Sequence, residues 1–338
     1  MRLRAARAGC MLAVGCLSVV GCGPNDSPVS EVEFAVPSGA TFAQVVDTLA
    51  ARELIRFPLA FKALARLRRD DRGVRSGGYQ VPSDIGWLPL LDVLVEGRVV
   101  TVPITIPEGF TLLQIAPRLA EVADVPLEEV ENRLQDPNAA AEWGVPGPTL
   151  EGYLFPDTYR FAPGVSLDLA IQAMIDQYQS FWTRERRARA AALELSEREV
   201  TTLASIIQGE ARRTAEMPTI SGVFHNRLDI GYLLQADPTV QYALGGRRER
   251  LLFSDIESVA EHPYNTYTNP GLPPGPIGAP GEAALAAALD PADVEYLYFV
   301  ARPDGSHIFT PSLEAHNRAR IEARREWDAL ERAGGGGA

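Results

Sequence analysis

The feature that most constrains this chain is a repeat. "FAVPSGATFAQVVDTLA" begins at Phe34 and "ITIPEGFTLLQIAPRLA" begins at Ile104. The two align without a gap, Pro37 with Pro107, Gly39 with Gly109, Thr41 with Thr111, Gln44 with Gln114 and Leu49 with Leu119. Each copy starts as a short strand, turns at Pro-x-Gly and opens a helix with Thr as N-cap and Gln three residues later. That spacing predicts a capping box, in which the two side chains satisfy each other's free backbone N–H groups. "YQVPSDIGWLPLLDVL", from Tyr79, reads as a third, degenerate strand-turn-helix. The pattern suits a binding module and a plain folding scaffold equally.

Composition and the N-terminus place the chain. Its 338 residues allow one large or two modest domains, and 46% hydrophobic residues supply a core. A net charge of -12 argues against nucleic acid as a partner, because a basic footprint is the norm there. Arg2, Arg4 and Arg7 precede the apolar run "AGCMLAVGCLSVVG". The run is short for a membrane span and reads as an export signal over residues 1–22. Val19-Val20-Gly21-Cys22 resembles a bacterial lipobox, with Cys22 as the lipid attachment residue and residues 23–31 as a tether. An uncleaved N-terminal anchor and lipidation at Cys16 are the alternatives. All three cysteines, Cys10, Cys16 and Cys22, lie in this segment, so the body has no disulfide chemistry. In either case the body works in the cell envelope, outside the cytoplasm and tethered to a membrane. On such a chain the repeated units resemble LysM-like wall-binding modules.

Loop punctuation in "ENRLQDPNAAAEWGVPGP", from Glu131, sets a boundary near residue 148. The expected fold class is α+β. A LysM-like repeated strand-helix region over 32–148 precedes a mixed α+β catalytic-size domain over 149–332, and 333–338 form a flexible glycine tail. A long helix is expected from Ser166. Another follows Ser196, with Glu199 completing its cap. "DPTVQYALGG" predicts a short helix with Asp237 as N-cap and Pro238 at the first helical position. "PYNTYTNPGLPPGPIGAPG", from Pro263, is a rigid loop. "VEYLYFVARPDGSHIFT" predicts a hairpin turning at Asp304-Gly305, and a charged helix closes the chain.

One carboxylate stands out. In the helix after Ser196, apolar residues recur at Val200, Leu203, Ala204, Ile207 and Ala211, and Glu210 lies at the edge of that stripe. Desolvation there raises a carboxyl pKa. An acid still protonated near neutral pH can donate to a leaving oxygen. The same placement fits a salt-bridged glutamate near a helix end, with Arg212, Arg213 and Glu216 close by. His225, His262, His307 and His316 lack metal-ligand spacing, and the sequence has neither a GxSxG elbow nor a phosphate loop. No metal or cofactor is called for. Glu151 and Asp157 flank aromatic rings, which suits a sugar-binding wall or core packing.

Five stretches carry a resemblance: "LEGYLFPDTYRF", "LASIIQGEA", "VFHNRLDIGYLLQADPTVQYALG", "YNTYTNPGLPPGPIGAPG" and "YLYFVARPDGSHIFTPSLEAHN". In order and spacing they resemble the endolytic murein transglycosylases, the MltG/YceG-like family, from about residue 32 to the last helix. The resemblance implies cleavage of the MurNAc–GlcNAc bond inside nascent peptidoglycan strands, leaving 1,6-anhydro-MurNAc ends and limiting strand length. It implies that Glu210 is catalytic, standing where the family's E-K-E motif has its second glutamate. Gln208 and Gly209 replace the first two residues of that motif. Gln235, Asp237, Thr239, Tyr264, Asn265 and Tyr267 match stretches near the family's active site and, with Glu151, are the expected substrate-binding residues. Asp237 also fits the simpler role of a cap. Glycan strands, the membrane and cell-wall synthases are the implied partners. Two alternatives stay open. One is a catalytically inactive peptidoglycan-binding lipoprotein. The other is a hydrolase using water, with Asp237 or Glu151 as base.

Overall fold

The computed structural model describes residues 30–37, 39–97, 101–248 and 251–334. The leader, Cys22, most of the tether and residues 335–338 of the tail lie outside the described residues.

The first repeat copy forms β1 (Glu31–Val36) and α1 (Phe42–Ala51), followed by α2 (Pro58–Arg68), β2 (Gly77–Pro82) and α3 (Trp87–Glu96). β2 returns antiparallel to β1, from Glu31 opposite Pro82 to Val36 opposite Gly77. The second copy forms β3 (Val102–Thr105) and α4 (Leu112–Ala123), then α5 (Leu127–Gln135), α6 (Ala139–Glu142) and β4 (Thr158–Phe161). β4 pairs antiparallel with β3, from Val102 opposite Phe161 to Thr105 opposite Thr158. Each copy is therefore the first half of a strand-helix-helix-strand unit. The stretch from Tyr79 is a strand, a turn and a helix, but its strand closes the first unit and does not open a third.

Equivalent positions do equivalent work. Phe34 and Ile104, Val45 and Ile115, Val46 and Ala116, and Leu49 and Leu119 are all buried. Thr41 N–H donates to Gln44 Oε1 at 2.8 Å, and Thr111 N–H donates to Gln114 Oε1 at 2.9 Å. Both helix starts thus satisfy a backbone donor that has no partner within the helix.

Beyond the repeats come α7 (Leu167–Phe181), α8 (Arg184–Ala192), α9 (Glu197–Glu210), α10 (Met217–Asp229), α11 (Asp237–Ala243), α12 (Phe253–Ser258) and α13 (Glu282–Leu289). The β5 (Tyr298–Ala301) and β6 (His307–Thr310) hairpin and α14 (Leu313–Gly334) end the chain. The long helix expected from Ser166 is two helices. Thr183 stops the run by capping α8, its hydroxyl accepting from Arg186 N–H at 3.2 Å.

Most of the buried apolar residues fall into two clusters. One runs from Phe34 to Leu94 and the other from Ile104 to Leu289. The second repeat copy shares its core with the helices after it, and that core continues across residue 148. At its centre is α9, buried at every position from Val200 to Ile207. The sequence stripe covers only half of that circumference. The polar half is buried because its hydroxyls bond to the helix itself: Thr201 to Glu197 O, Thr202 to Arg198 O, each at 2.8 Å, and Ser205 to Thr202 O at 2.7 Å. Helices α10 and α13 pack on α9, so the end of α9 is held from several sides.

Candidate active site

Glu210 is the last residue of α9. Its capping box at the other end, Ser196 with Glu199, fixes the helix start: Ser196 N–H donates to Glu199 Oε2 at 2.8 Å and Glu199 N–H to Ser196 Oγ at 3.3 Å. Two neighbours, Asp237 and Arg227, act on the charge of Glu210, and Tyr267 feels that charge in turn. Asp237 opens α11, and its backbone N–H donates to the Glu210 carboxyl. Arg227 comes from α10, and Tyr267 from the loop after α12. Burial, above all, pushes the Glu210 carboxyl up to about 8, and the negative Asp237 adds to the rise. Arg227 and the Asp237 N–H pull the other way. By residue surface Glu210 is only half-buried. Protein atoms nevertheless crowd its carboxyl as in an interior site. Crowding at the charged atoms, not residue area, governs desolvation.

The expectation that Asp237 caps α11 is corrected. Ala236 holds the cap position, with no side-chain bond, and Asp237 is the first helical residue. Its carboxylate instead accepts from the Tyr267 hydroxyl at 2.5 Å, which turns it from the helix's free N–H groups towards the site.

Gly209 and Gln208 each have a structural reason. A Cβ on Gly209 would lie 2.7 Å from Pro238 Cβ, too close for any side chain there. Glycine at 209 lets the start of α11 sit against the end of α9, which brings Asp237 to Glu210. Gln208 Oε1 accepts from Gly281 N–H at 3.1 Å and so holds the end of the proline-glycine loop. The loop is held twice more. Ile277 N–H donates to Ser205 Oγ at 3.0 Å. Gly109 N–H donates to Ala279 O at 2.7 Å, and Ala279 N–H to Phe110 O at 2.8 Å.

The other expected residues divide by accessibility. Gln235, Asp237, Tyr264 and Tyr267 keep open surface. Gln235 also holds a left-handed backbone, φ +47°, which is uncommon outside glycine and costs energy that the surroundings must supply. Thr239 and Asn265 are fully buried. The Thr239 hydroxyl donates to Ala236 O at 2.7 Å and meets the Thr266 hydroxyl at 2.8 Å. Asn265 donates to Ile256 O at 3.0 Å and to Val259 O at 3.1 Å. Glu151 is buried too, and its carboxyl is pushed up to about 8, mainly by burial. It accepts from Leu112 N–H, the first of α4, at 3.1 Å, and from the Tyr242 hydroxyl at 3.3 Å. Glu151 therefore ties the second repeat's helix to α11.

Arg227 is not among the residues expected at the site. It is buried, donating to Leu297 O at 2.7 Å and to Leu234 O, with the rings of Tyr232 and Tyr298 5.6 and 5.5 Å away. Its position was signalled: Ile220, Val223, Phe224 and Arg227 follow the spacing of one buried helix face. Thr266, which clamps both Ala236 and Thr239, carries no such signal. Two open cavities, about 680 Å³ between β5 and α14 and about 500 Å³ near the start of α7, do not include Glu210. Among the described residues, no His, Cys, Asp and Glu gather as a metal site, and no helix is long and apolar enough to cross a membrane.

The arrangement thus offers one poised carboxyl between a negative and a positive neighbour. Comparison with known proteins points the same way. The profile of the YceG-like family matches residues 34–322. An endolytic murein transglycosylase of Bacillus subtilis is 33% identical over 306 residues, covering 86% of this chain and 84% of its own. One from Streptococcus pneumoniae is 27% identical over 320 residues, 85% of this chain but 57% of that longer protein. The crystal structure of a yceG-like protein from Listeria monocytogenes superposes with a TM-score of 0.59 at 30% identity, covering 86% of this chain and 99% of that one.

Proposed function

The chain belongs to the YceG-like family, and on that premise we propose that Glu210 is both the acid and the base of its reaction. The protein is an endolytic murein transglycosylase, acting on the cell wall outside the cytoplasm. It cleaves the MurNAc–GlcNAc bond within glycan strands and leaves 1,6-anhydro-MurNAc ends. In the proposed steps Glu210 gives its proton to the glycosidic oxygen as that oxygen leaves C1 of MurNAc. The Glu210 carboxylate then takes the proton of the 6-hydroxyl as the 6-oxygen bonds to C1. Glu210 ends as it began, and no water is consumed.

One observation carries this reading: the Glu210 carboxyl at the end of α9 is crowded by protein and pushed up to about 8, with Asp237 favouring its protonated form and Arg227 its ionised form. A group that must give and then take a proton works best with its pKa near the working pH. The nucleophile belongs to the sugar itself, so proximity replaces a second catalytic carboxylate. Gln235, Asp237, Tyr264 and Tyr267, with open surface, are proposed to meet sugar hydroxyls, acetamides and ring faces. Glu151, Thr239 and Asn265 are proposed to hold that surface in shape. The departures at Gln208 and Gly209 have packing reasons that leave Glu210 in place, which favours catalysis over an inactive wall-binding relative.

The two strand-helix-helix-strand units are proposed as LysM-like wall-binding modules. The leader, with Cys22 as lipid attachment residue, is proposed to hold the chain at the membrane, beside cell-wall synthases. The test of the catalytic reading is mass spectrometry of peptidoglycan digested by wild type and by Glu210→Gln. Wild type should release anhydro-MurNAc ends, and the variant should lose a factor of about 10² to 10⁴ in rate. Full cleavage by Glu210→Gln would sink the assignment, and ends one water heavier would make the enzyme a hydrolase.

A further inference from the structure

Helix α2 is apolar on both sides. Phe61, Leu64 and Ala65 face the first core. On the outer side Leu59 and Leu67 are 83% and 84% exposed, with Ala60 and Ala63 between them also exposed, and Phe57 just before the helix is 62% exposed. Arg56, Arg66 and Arg69 rim this outer side and are exposed. The helix itself contains no acidic residue. Residues 52–69 carry six basic side chains, Arg52, Arg56, Lys62, Arg66, Arg68 and Arg69, against the single acid Glu53, in a chain whose net charge is -12. Lys62 and Arg68 are paired, with Asp47 and with Asp70 and Asp92.

The fold does not require such a face. Helix α5 occupies the same place in the second unit, and its sequence, "LEEVENRLQ", is acidic. The difference follows position relative to the leader. Eight residues separate Cys22 from β1, a reach of at most about 30 Å. The apolar and basic helix lies in the unit joined directly to that tether, and the acidic one in the unit beyond it.

We propose that the outer face of α2 rests on an anionic membrane surface, with Phe57, Leu59 and Leu67 in the headgroup–acyl boundary and Arg56, Arg66 and Arg69 on lipid phosphates. Amphipathic helices bind interfaces by this combination of apolar area and cationic rim. Each basic residue near an anionic surface contributes roughly fivefold in partitioning. The proposal rests on the reading that the leader anchors the chain, and it adds an orientation: the first unit is held flat on the lipid, not freely suspended above it.

The full chain, reconstituted in vesicles of phosphatidylglycerol and phosphatidylethanolamine, tests both. A photoreactive phenylalanine analogue replaces Leu67 in one preparation and Leu330, 54% exposed on α14, in another. Flotation in high salt, which screens the cationic rim, reads the anchor, and the mass of the photoproduct formed at low salt reads the contact. Lipid adducts are expected at 67 and not at 330. They should fall by on the order of a hundredfold when Arg56, Arg66 and Arg69 are all changed to Glu. Flotation without lipid adducts at 67, or adducts there to a second chain, would overturn the docking face and leave the anchor standing. Equal adducts at 67 and 330 would overturn it as non-specific. Adducts at 67 without flotation would dismiss the anchor and keep the face. Neither signal would end both.

Discussion

Gly39 and Gly109 hold the same left-handed backbone, φ +75° and +77°, at the same point of the two repeat copies. Among the described residues nothing lies within 4 Å of where a side chain on Gly39 would begin. The turn at Gly109 is bonded to Ala279 through Gly109 N–H and Phe110 O and lies against Gln208, two residues before Glu210. One motif thus serves a unit with its own core and, seventy residues later, a unit packed beside the proposed catalytic residue Glu210. The local signal sets the turn and the helix cap. What the turn touches depends on a loop 170 residues further on, Gly278 and its neighbours.

Five substitutions, in four tests, break or sharpen this contrast. The largest effect is expected from Gly278→Ala. A Cβ there would lie 2.8 Å from Gly109 O, so backbone must give, at a cost of about 1–3 kcal/mol. Calorimetry should show the second core melting earlier and the first unchanged, with cleavage reduced. Movement of both transitions would refute their independence.

Next comes the matched pair Gly39→Ala and Gly109→Ala. Each places a side chain on a left-handed backbone, at about 1–2 kcal/mol. Stability losses should match, while turnover falls only for the second. Equal losses of turnover would mean that the first unit shapes the site as well.

Glu151→Gln probes the tie between α4 and α11. The folded pKa of Glu151, about 8, lies above its ordinary 4.5. The neutral carboxyl therefore contributes stability that is complete below about pH 4.5 and is lost as pH rises towards 8. Wild type should lose stability to denaturant across that window. The variant, which cannot ionise there, should lose less, the remainder coming from the other carboxyls raised by burial, Glu210 and Glu197. A wild-type curve flat from pH 5 to 8 would contradict the buried-acid account.

The smallest effect is expected from Asp237→Asn. Removing that charge eases ionisation of Glu210, so its pKa falls. The alkaline limb of the pH–rate profile should move to lower pH, while the fold stays intact. A limb that stays put would show that Asp237 does not set the acid.

Much of the site was legible because its signals are local. Thr41, Thr111 and Ser196 announce their helices through a partner three residues on. Asp304-Gly305 announces the β5–β6 hairpin, and Glu210 is marked by its place on a stripe. Other features depend on distant residues. Nothing near Tyr159 says that its strand pairs with β3, and nothing near Asp237 says that Tyr267 will take its carboxylate from the cap. Residues 131–148 punctuate like a domain boundary, yet the buried core runs through them, because Val145 and Leu150 pack in one cluster. Arg227 resembles a surface charge until its neighbours Val223 and Phe224 are seen to be wholly buried. Gly209, read locally, only weakens a helix. In the folded chain it is the gap into which Pro238 fits.

The separation of the two cores has a kinetic consequence. Residues 97–101 alone join α3 to β3, and the clusters share no residue. If the first unit holds a glycan strand, it raises the strand's effective concentration at Glu210 without adding a contact there. The gain depends on span, not on affinity at the cleft. Cutting would then favour bonds within reach of the grip, so the length of the connection would bias product length.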